Sequence, residues 1–430
     1  MLQVERHFWC VMTAADASIA STGAAQFLGK EKDYWRLRVR GAALLMLTLG
    51  LYRFWFATDI RRFLWSNTEI EGDTLEYTGL ATELLVGFLF AVAILVPLYT
   101  AFAIGALELS PQAPVSVVAG ILLFVALLGE FALYRARRYR LTRTVFRGVQ
   151  FDQHGAAWRY ALCALFCWCA VIVTLGLAYP WAQAFLQRFK MGHTCYGDLP
   201  GAFDGKGVTL FLRGLPIWLV VMGPLLIALF ALSALIDWNA LNVAVTQGDQ
   251  ATLTSIEASP EFRRAVGIAF ICVAVSAIAA VLLYPLFQAV TLRWWISGLR
   301  FGDVAVTSRL KTGQIYRVYL RFVLYILLLM LVTALAGGVC LLAVSELVGP
   351  RHDSALAELL ATVITVGLYV VIALGASTVH QVVVTFSLWR LGVQSAKFSG
   401  AEALNSVRAA GLPSSALGEG LVDALGVGGI

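Results

Sequence analysis

Residues 41–62 read GAALLMLTLGLYRFWFATDIRR, and the reading of Thr48-Leu49-Gly50-Leu51-Tyr52 inside them decides how the chain is threaded. An apolar run opens after Arg40 and stops at Arg53, so only the 12 residues Gly41 to Tyr52 are uncharged. At about 1.5 Å per residue a helix of that length covers roughly 18 Å, short of the ~30 Å hydrocarbon layer of a membrane. The segment either crosses with charged ends or dips in and returns.

Composition argues for the membrane itself. Apolar residues make up 60% of the 430-residue chain and charged residues 13%, with a mean hydropathy of +0.79, far from soluble-domain usage. Uncharged runs of at least 21 residues include Leu84–Leu107, Leu109–Gly129, Gly214–Ile236, Ala265–Leu292, Phe322–Ser345 and Leu359–Trp389, and the second Thr-Leu-Gly-Leu segment lies in a further one, Tyr160–Gln187. Each is long enough to span as a helix, which pairs its own backbone groups where water cannot. The expected fold is an all-α polytopic membrane protein of six to eight transmembrane helices. The N-terminal stretch carries Glu5 and no clean apolar core with a cleavage site, so insertion is expected from the mature helices. The net charge of +6 does not indicate nucleic-acid binding, because the basic residues cluster beside apolar runs, as at cytoplasmic membrane edges.

A shift of 126 residues superposes 48–79 on 174–205 without a gap. Thr48/Thr174, Leu49/Leu175, Gly50/Gly176, Leu51/Leu177 and Trp55/Trp181 match, as do Arg62/Arg188, Phe63/Phe189, Thr68/Thr194 and Gly79/Gly205. Shared apolarity does not produce matched Trp, Gly and Arg, so an internal parallel repeat is expected. A shorter basic-aromatic element recurs as RRFLWSNTEIEG (61–72), RRYRLTRTVFRG (137–148), QRFKMGHTCYGD (187–198), LRWWISGLRFGD (292–303) and LWRLGVQSAKFSG (388–400). It reads as a helix emerging into the headgroup layer, with a glycine turning the chain. Trp55, Arg62, Arg138, Trp181, Arg188 and Arg293 are the expected headgroup contacts.

The charge ledger favours the re-entrant alternative for the two Thr-Leu-Gly-Leu segments. Eight crossings strand the seven basic residues between Arg135 and Arg159 outside; six crossings place 29 of 32 inside, leaving only Arg263, Arg264 and Arg351 out. Non-helical backbone at membrane depth must be buried in protein, so the turns at Gly50 and Gly176 are expected to be packed by neighbouring helices. The chain then divides into an N-terminal cytoplasmic extension (1–29), a first repeat (30–149), a second repeat (150–313), a C-terminal helix pair (314–400) and a cytoplasmic tail (401–430).

The second copy spells Thr174, Leu175, Gly176, Leu177, Tyr179, Pro180, Trp181 and Ala182, which resembles the Thr-Leu-Gly-Ile/Leu-Tyr-x-Pro-Trp-Ala segment of the YjgN-like family of bacterial inner-membrane proteins. Ala178 is an extra residue before the tyrosine, and the first copy departs further, with Arg53 and Phe54 before Trp55 and Phe56 in place of the alanine. The closing GEGLVDALGVGGI (418–430) also resembles the family's C-terminus. The resemblance implies bacterial inner-membrane residence, a multi-helix fold, no agreed catalytic residue, and a membrane-linked metallopeptidase as a possible partner.

No enzyme motif appears: there is no His-Glu-x-x-His, no Gly-x-Ser-x-Gly and no Walker-type loop. The seven cysteines form no ligand framework; Cys163, Cys167 and Cys169 share one apolar run, and Cys195 beside His193 lacks a second pair. No cofactor or metal is expected. Glu69, Glu71 and Asp73 read as a solvated loop. Within the apolar runs, Glu130 reads as an interfacial pairing residue near Arg135, and His380 with Gln381 as a polar stripe against a neighbouring helix.

Proline supplies the positional clue. Gly87 and Pro97 stand ten apart in the first long run, as do Gly214 and Pro224 in the corresponding run, with Pro216 and Gly223 beside them. Proline frees backbone carbonyls, and interrupted helices in matching positions point to a transporter's binding site. Gly87, Pro97, Gly214, Pro216, Pro224 and His380 are thus the candidate cavity positions. The expected function is a transporter or channel-like protein for a small molecule or lipid, with a polar cavity near Pro97 and Pro224. The alternative, a non-catalytic scaffold or accessory subunit, expects that space filled by Leu, Phe and Trp.

Overall fold

The computed structural model describes residues 23–108, 115–348 and 354–405, with 407–408, 421 and 424–425 beyond them. Most of the expected extension and tail, and Arg351, lie outside the described residues.

The chain alternates between strand and helix in five units, each leaving a sheet as helix and returning to it. In the first, β1 (Gly23–Phe27) leads to α1 (Glu31–Leu47), α2 (Arg53–Ser66) and β2 (Thr68–Ile70), followed by β3 (Asp73–Thr74). In the second, β4 (Glu76–Tyr77) leads to α3 (Ala81–Glu108), α4 (Val115–Thr142) and β5 (Thr144–Phe146). The third runs β6 (Val149–Gln153), α5 (Ala157–Val173), α6 (Tyr179–Gly192), β7 (Thr194–Tyr196). The fourth runs β8 (Leu199–Phe203), α7 (Gly207–Leu235), two short helices α8 (Trp238–Gln247) and α9 (Gln250–Ala258), α10 (Pro260–Ser297) and β9 (Leu299–Phe301). The fifth runs β10 (Val304–Ser308), α11 (Thr312–Val348), α12 (Ser354–Val379), a π-helical turn (His380–Thr385), α13 (Phe386–Ser395) and β11 (Ala396–Ser399).

The strands form one sheet in the order β3-β2-β1-β11-β10-β9-β8-β7-β6-β5-β4. Every pairing is antiparallel. Its two edges, β3 and β4, are separated in the chain by Leu75 alone, so the sheet nearly closes into a barrel. Leu75 N–H donates to Thr68 O at 3.0 Å on one side, and Thr78 N–H to Arg143 O at 2.9 Å on the other.

This sheet corrects the all-α expectation. Each basic-aromatic element is a helix end running into a strand, and its glycine sits in the tight turn that follows the strand. Gly72, Gly148, Gly197, Gly302 and Gly400 all have positive φ, between +53° and +86°, a region open to glycine at little steric cost. In the first three copies the threonine closes the helix before the strand begins: Thr68, Thr144 and Thr194 each donate Oγ1–H to the carbonyl four residues back, at 2.8, 2.8 and 2.7 Å. The strands are too short for a period-2 pattern to separate from the flanking helices.

Among the described residues, five stretches are long and apolar enough to cross a membrane: Ala119–Thr142, Gly207–Leu235, Pro260–Ser297, Thr312–Val344 and Glu358–Ser395. Ala81–Pro97 and Ala157–Val173 are shorter apolar helices. The long helices expose large apolar side chains such as Phe230, Phe270, Leu320 and Tyr369, the surface a lipid environment covers. Pro97 lies within a continuous α3, and Pro216 and Pro224 within a continuous α7.

The two Thr-Leu-Gly-Leu tips match bond for bond at the 126-residue offset. Leu49 and Leu175 both have φ +50°, followed by Gly50 at +93° and Gly176 at +92°. Gly50 N–H reaches back to Leu45 O at 2.8 Å and Gly176 N–H to Val171 O at 2.7 Å, the long bond of a Schellman helix end. Thr48 and Thr174 hydroxyls cap Leu44 O and Ala170 O, both at 2.7 Å. They then accept from Tyr52 N–H and Ala178 N–H, both at 3.0 Å. The expected packing of both tips holds only for the second, where Trp218 Nε1–H donates to Leu175 O at 2.8 Å. Nothing lies within 4 Å of the Cβ position of Gly50, and Leu49 is 96% exposed.

Candidate functional site

Inside the sheet, alternate residues turn inward and are apolar: Ala25, Ile70, Phe146, Phe301, Val306 and Phe398 come from six different strands. They enclose a cavity of about 730 Å³ that continues upward between α10, α11, the π turn and α13. That size falls within the range of pockets that hold whole small molecules.

The helical walls are one face each. Tyr284, Gln288, Leu292 and Ile296 recur every four residues along α10, and Leu388, Gly392 and Val393 face them from α13. From Tyr284 to the start of β9 is fifteen residues, so the cavity is roughly 20 Å deep along the helix axis. Its polar groups lie mostly at the bundle end. Tyr319 Oη–H donates to Gln288 Oε1 at 2.5 Å, the Tyr284 and Tyr319 rings meet edge to face at 5.6 Å, and His380 packs edge-on against Phe322 at 5.7 Å.

The π turn shapes this end. Its wider spacing sets Val382 and Val383, both 0% exposed, into the core while His380, Val384 and Thr385 line the cavity. Single π turns within helices are frequent at functional sites. Lower down, Trp389 also lines the cavity and donates Nε1–H to Thr68 Oγ1 at 3.1 Å, tying the fifth unit to the first.

Of the cavity positions expected from sequence, only His380 lines this space. Gly87 is buried in α3, Pro97 and Pro216 are exposed, and Gly214 and Pro224 are half-buried in α7. The cavity departs from the expectation of a polar space near Pro97 and Pro224 in both place and character. Tyr284, Gln288 and Tyr319 belong to no motif that the sequence singles out, and Trp389 stands out only as part of the fifth basic-aromatic element; the one local signal for the bundle-end cluster is the four-residue spacing of Tyr284 and Gln288 around Pro285.

The basic-aromatic residues act partly between units. Arg62 Nη2 donates to Gly79 O at 3.2 Å and Arg188 Nη2 to Gly205 O at 3.1 Å, each clasping the strand-to-helix corner of the next unit. Arg293 Nη2 makes the comparable reach to Thr312 Oγ1 at 3.0 Å. Arg138 holds its Nε buried without a hydrogen-bond partner. Trp55 is 39% and Trp181 47% exposed, the latter against Phe211 at 4.7 Å. Glu130 accepts from Trp168 Nε1–H at 2.9 Å. Beside this layer burial, then Arg137, pushes the Lys190 ammonium down to about 8, and its Nζ lies 5.8 Å over the Tyr160 ring. Among the described residues no three His, Cys, Asp or Glu side chains gather into a metal-holding group.

Residues 22–424 match the family described as bacterial protein of unknown function (DUF898), and the chain belongs to that family. No curated protein and no solved structure matches it.

Proposed function

We propose that this DUF898 member, in our reading a YjgN-like protein, is a non-catalytic bacterial inner-membrane protein that takes up and moves a lipid-class molecule. The apolar chain of that molecule would lie in the cavity between barrel and bundle, its polar end against the Tyr284, Gln288, Tyr319 and His380 cluster. The observation that carries this reading is the apolar lining of a cavity of about 730 Å³ that runs from the sheet into the helices. A polar solute would lose its hydration there without replacement partners, whereas an acyl chain gains by leaving water.

The topology we propose has six crossings, α3, α4, α7, α10, α11 and α12, with α1–α2 and α5–α6 as two re-entrant pairs. Each unit leaves and rejoins the same sheet, so the barrel lies on one side, and the 29 of 32 basic residues on that side favour the cytoplasm. The bond-for-bond match of the two tips supports the parallel repeat.

The test uses the full chain purified in mild detergent and extracted for lipid mass spectrometry. Gly392 lines the cavity, and a Cβ there meets only Ile296 Cδ1, at 3.8 Å, so Gly392→Trp fills the space from its wall. The expected result is a co-purifying lipid in the wild type and a retained melting temperature with lipid lost in Gly392→Trp. Equal lipid content in the two proteins sinks the reading. An unchanged lipid profile in a deletion strain would remove the transport half of it.

A further inference from the structure

The outer face of α10 carries a second recess, of about 530 Å³, where this helix meets the start of α7. From its walls we infer that it binds a phosphate group, and that the source of that group is the headgroup of an anionic phospholipid. The inference rests on the membrane placement of α7 and α10 and is independent of what fills the apolar cavity on the other face of α10.

Three cations converge on the recess: Lys206 at the last position before α7, Arg213 two turns along it, and Arg293 near the end of α10. Thr209 and Ser297 add hydroxyls. The acid on the rim, Asp204, is already engaged, 3.0 Å from Arg300 Nε. The recess therefore presents net positive charge beside hydroxyl donors, a set that suits a phosphate oxyanion.

Arg293 supplies a second, independent observation. Its Nη2 is held by Thr312 Oγ1 at 3.0 Å, yet its Nε is buried with no hydrogen-bond partner. A buried donor on a charged side chain is costly to leave unpaired, and an anion in the recess would accept from it. Trp294, the next residue, donates Nε1–H to Lys206 O at 3.0 Å and fixes the two helices against each other, so the cations are presented on a rigid wall. The recess stands where the chain passes from barrel to long apolar helix, the level at which headgroups meet a membrane protein.

The experiment is native mass spectrometry of the full chain in detergent with added phosphatidylglycerol, phosphatidylcholine or inorganic phosphate. Lys206 and Arg213 are exposed, so the double variant Lys206→Glu/Arg213→Glu should fold, with circular dichroism as the check, and Arg293→Gln gives a second arm. The expected result is preferential retention of phosphatidylglycerol, weakened about tenfold or more in the double variant. Phosphatidylcholine binding should stay unchanged. Displacement by millimolar inorganic phosphate with no lipid preference would overturn the headgroup source. Equal retention of both lipids by wild type and variants, without any phosphate adduct, overturns the site.

Discussion

Arg188 donates to the carbonyl oxygen of Gly205 across 3.1 Å, from near the end of α6 to the corner where β8 gives way to α7. The same bond recurs 126 residues earlier between Arg62 and Gly79. Gly205 is buried, so this arginine satisfies a carbonyl that water does not reach. Truncating it in Arg188→Met should destabilise the protein by about 1–3 kcal/mol, the usual cost of orphaning a buried acceptor. Thermal unfolding in detergent would check this; a melting temperature equal to wild type would show that the clasp contributes nothing.

Two glycines with open space at their Cβ positions, one in the first tip and one inside a helix, predict opposite responses to the same mutation. Gly50 has φ +93° and open space around its Cβ position, so Gly50→Ala should cost about 1 kcal/mol from backbone strain alone. Gly223 sits inside α7 with nothing within 4 Å of its Cβ position, so Gly223→Ala should be neutral or stabilising by about 0.5–1 kcal/mol. Comparing the two variants by thermal unfolding isolates backbone strain, because neither Cβ position is crowded.

Lys190 makes stability depend on alkaline pH. Its ordinary value is 10.5 and burial lowers it to about 8 in the fold, so between those values the unfolded chain holds a proton that the folded chain has released. Stability contributed by this residue therefore rises as pH increases from about 8 towards 10.5, and the penalty is fully present below about 8. Lys190→Met should be more stable than wild type at pH 7 by on the order of 1–2 kcal/mol, with the gap closing by pH 10. A pH-independent difference would contradict this origin.

Topology is testable at two exposed positions, Asp303 in the β9–β10 turn and Gln250 at the start of α9. In a background lacking the native cysteines, Gln250→Cys should react with an impermeant maleimide in intact spheroplasts. Asp303→Cys should react only after permeabilisation. The reverse pattern would invert the orientation, and labelling of both from one side would refute the crossing pattern.

Much of the helical layout is legible in the chain. Uncharged runs mark the long helices, Arg40 and Arg53 bound the short one, and the 126-residue match anticipates two tips whose backbone bonds coincide. The five basic-aromatic elements are also visible as a recurring pattern, but their meaning is not. Read alone, Arg-Gly-Val or Gly-Asp-Leu after an aromatic residue is a helix exit at a membrane surface. The turn chemistry of Gly148 and Gly302 was the available hairpin signal, weakened by strands of two to five residues.

Local sequence, then, determined where the chain is apolar enough to leave water and where it must turn. Those follow from transfer free energies and backbone sterics, which act residue by residue. Only the tertiary structure decided that the turns assemble into a nearly closed sheet and that β1 meets β11 across more than 370 residues of chain. It also decided that Tyr284, Tyr319 and His380 share one cavity. Strand pairing and cavity walls depend on which distant backbones come within hydrogen-bonding reach. No window of sequence around any one residue contains that information.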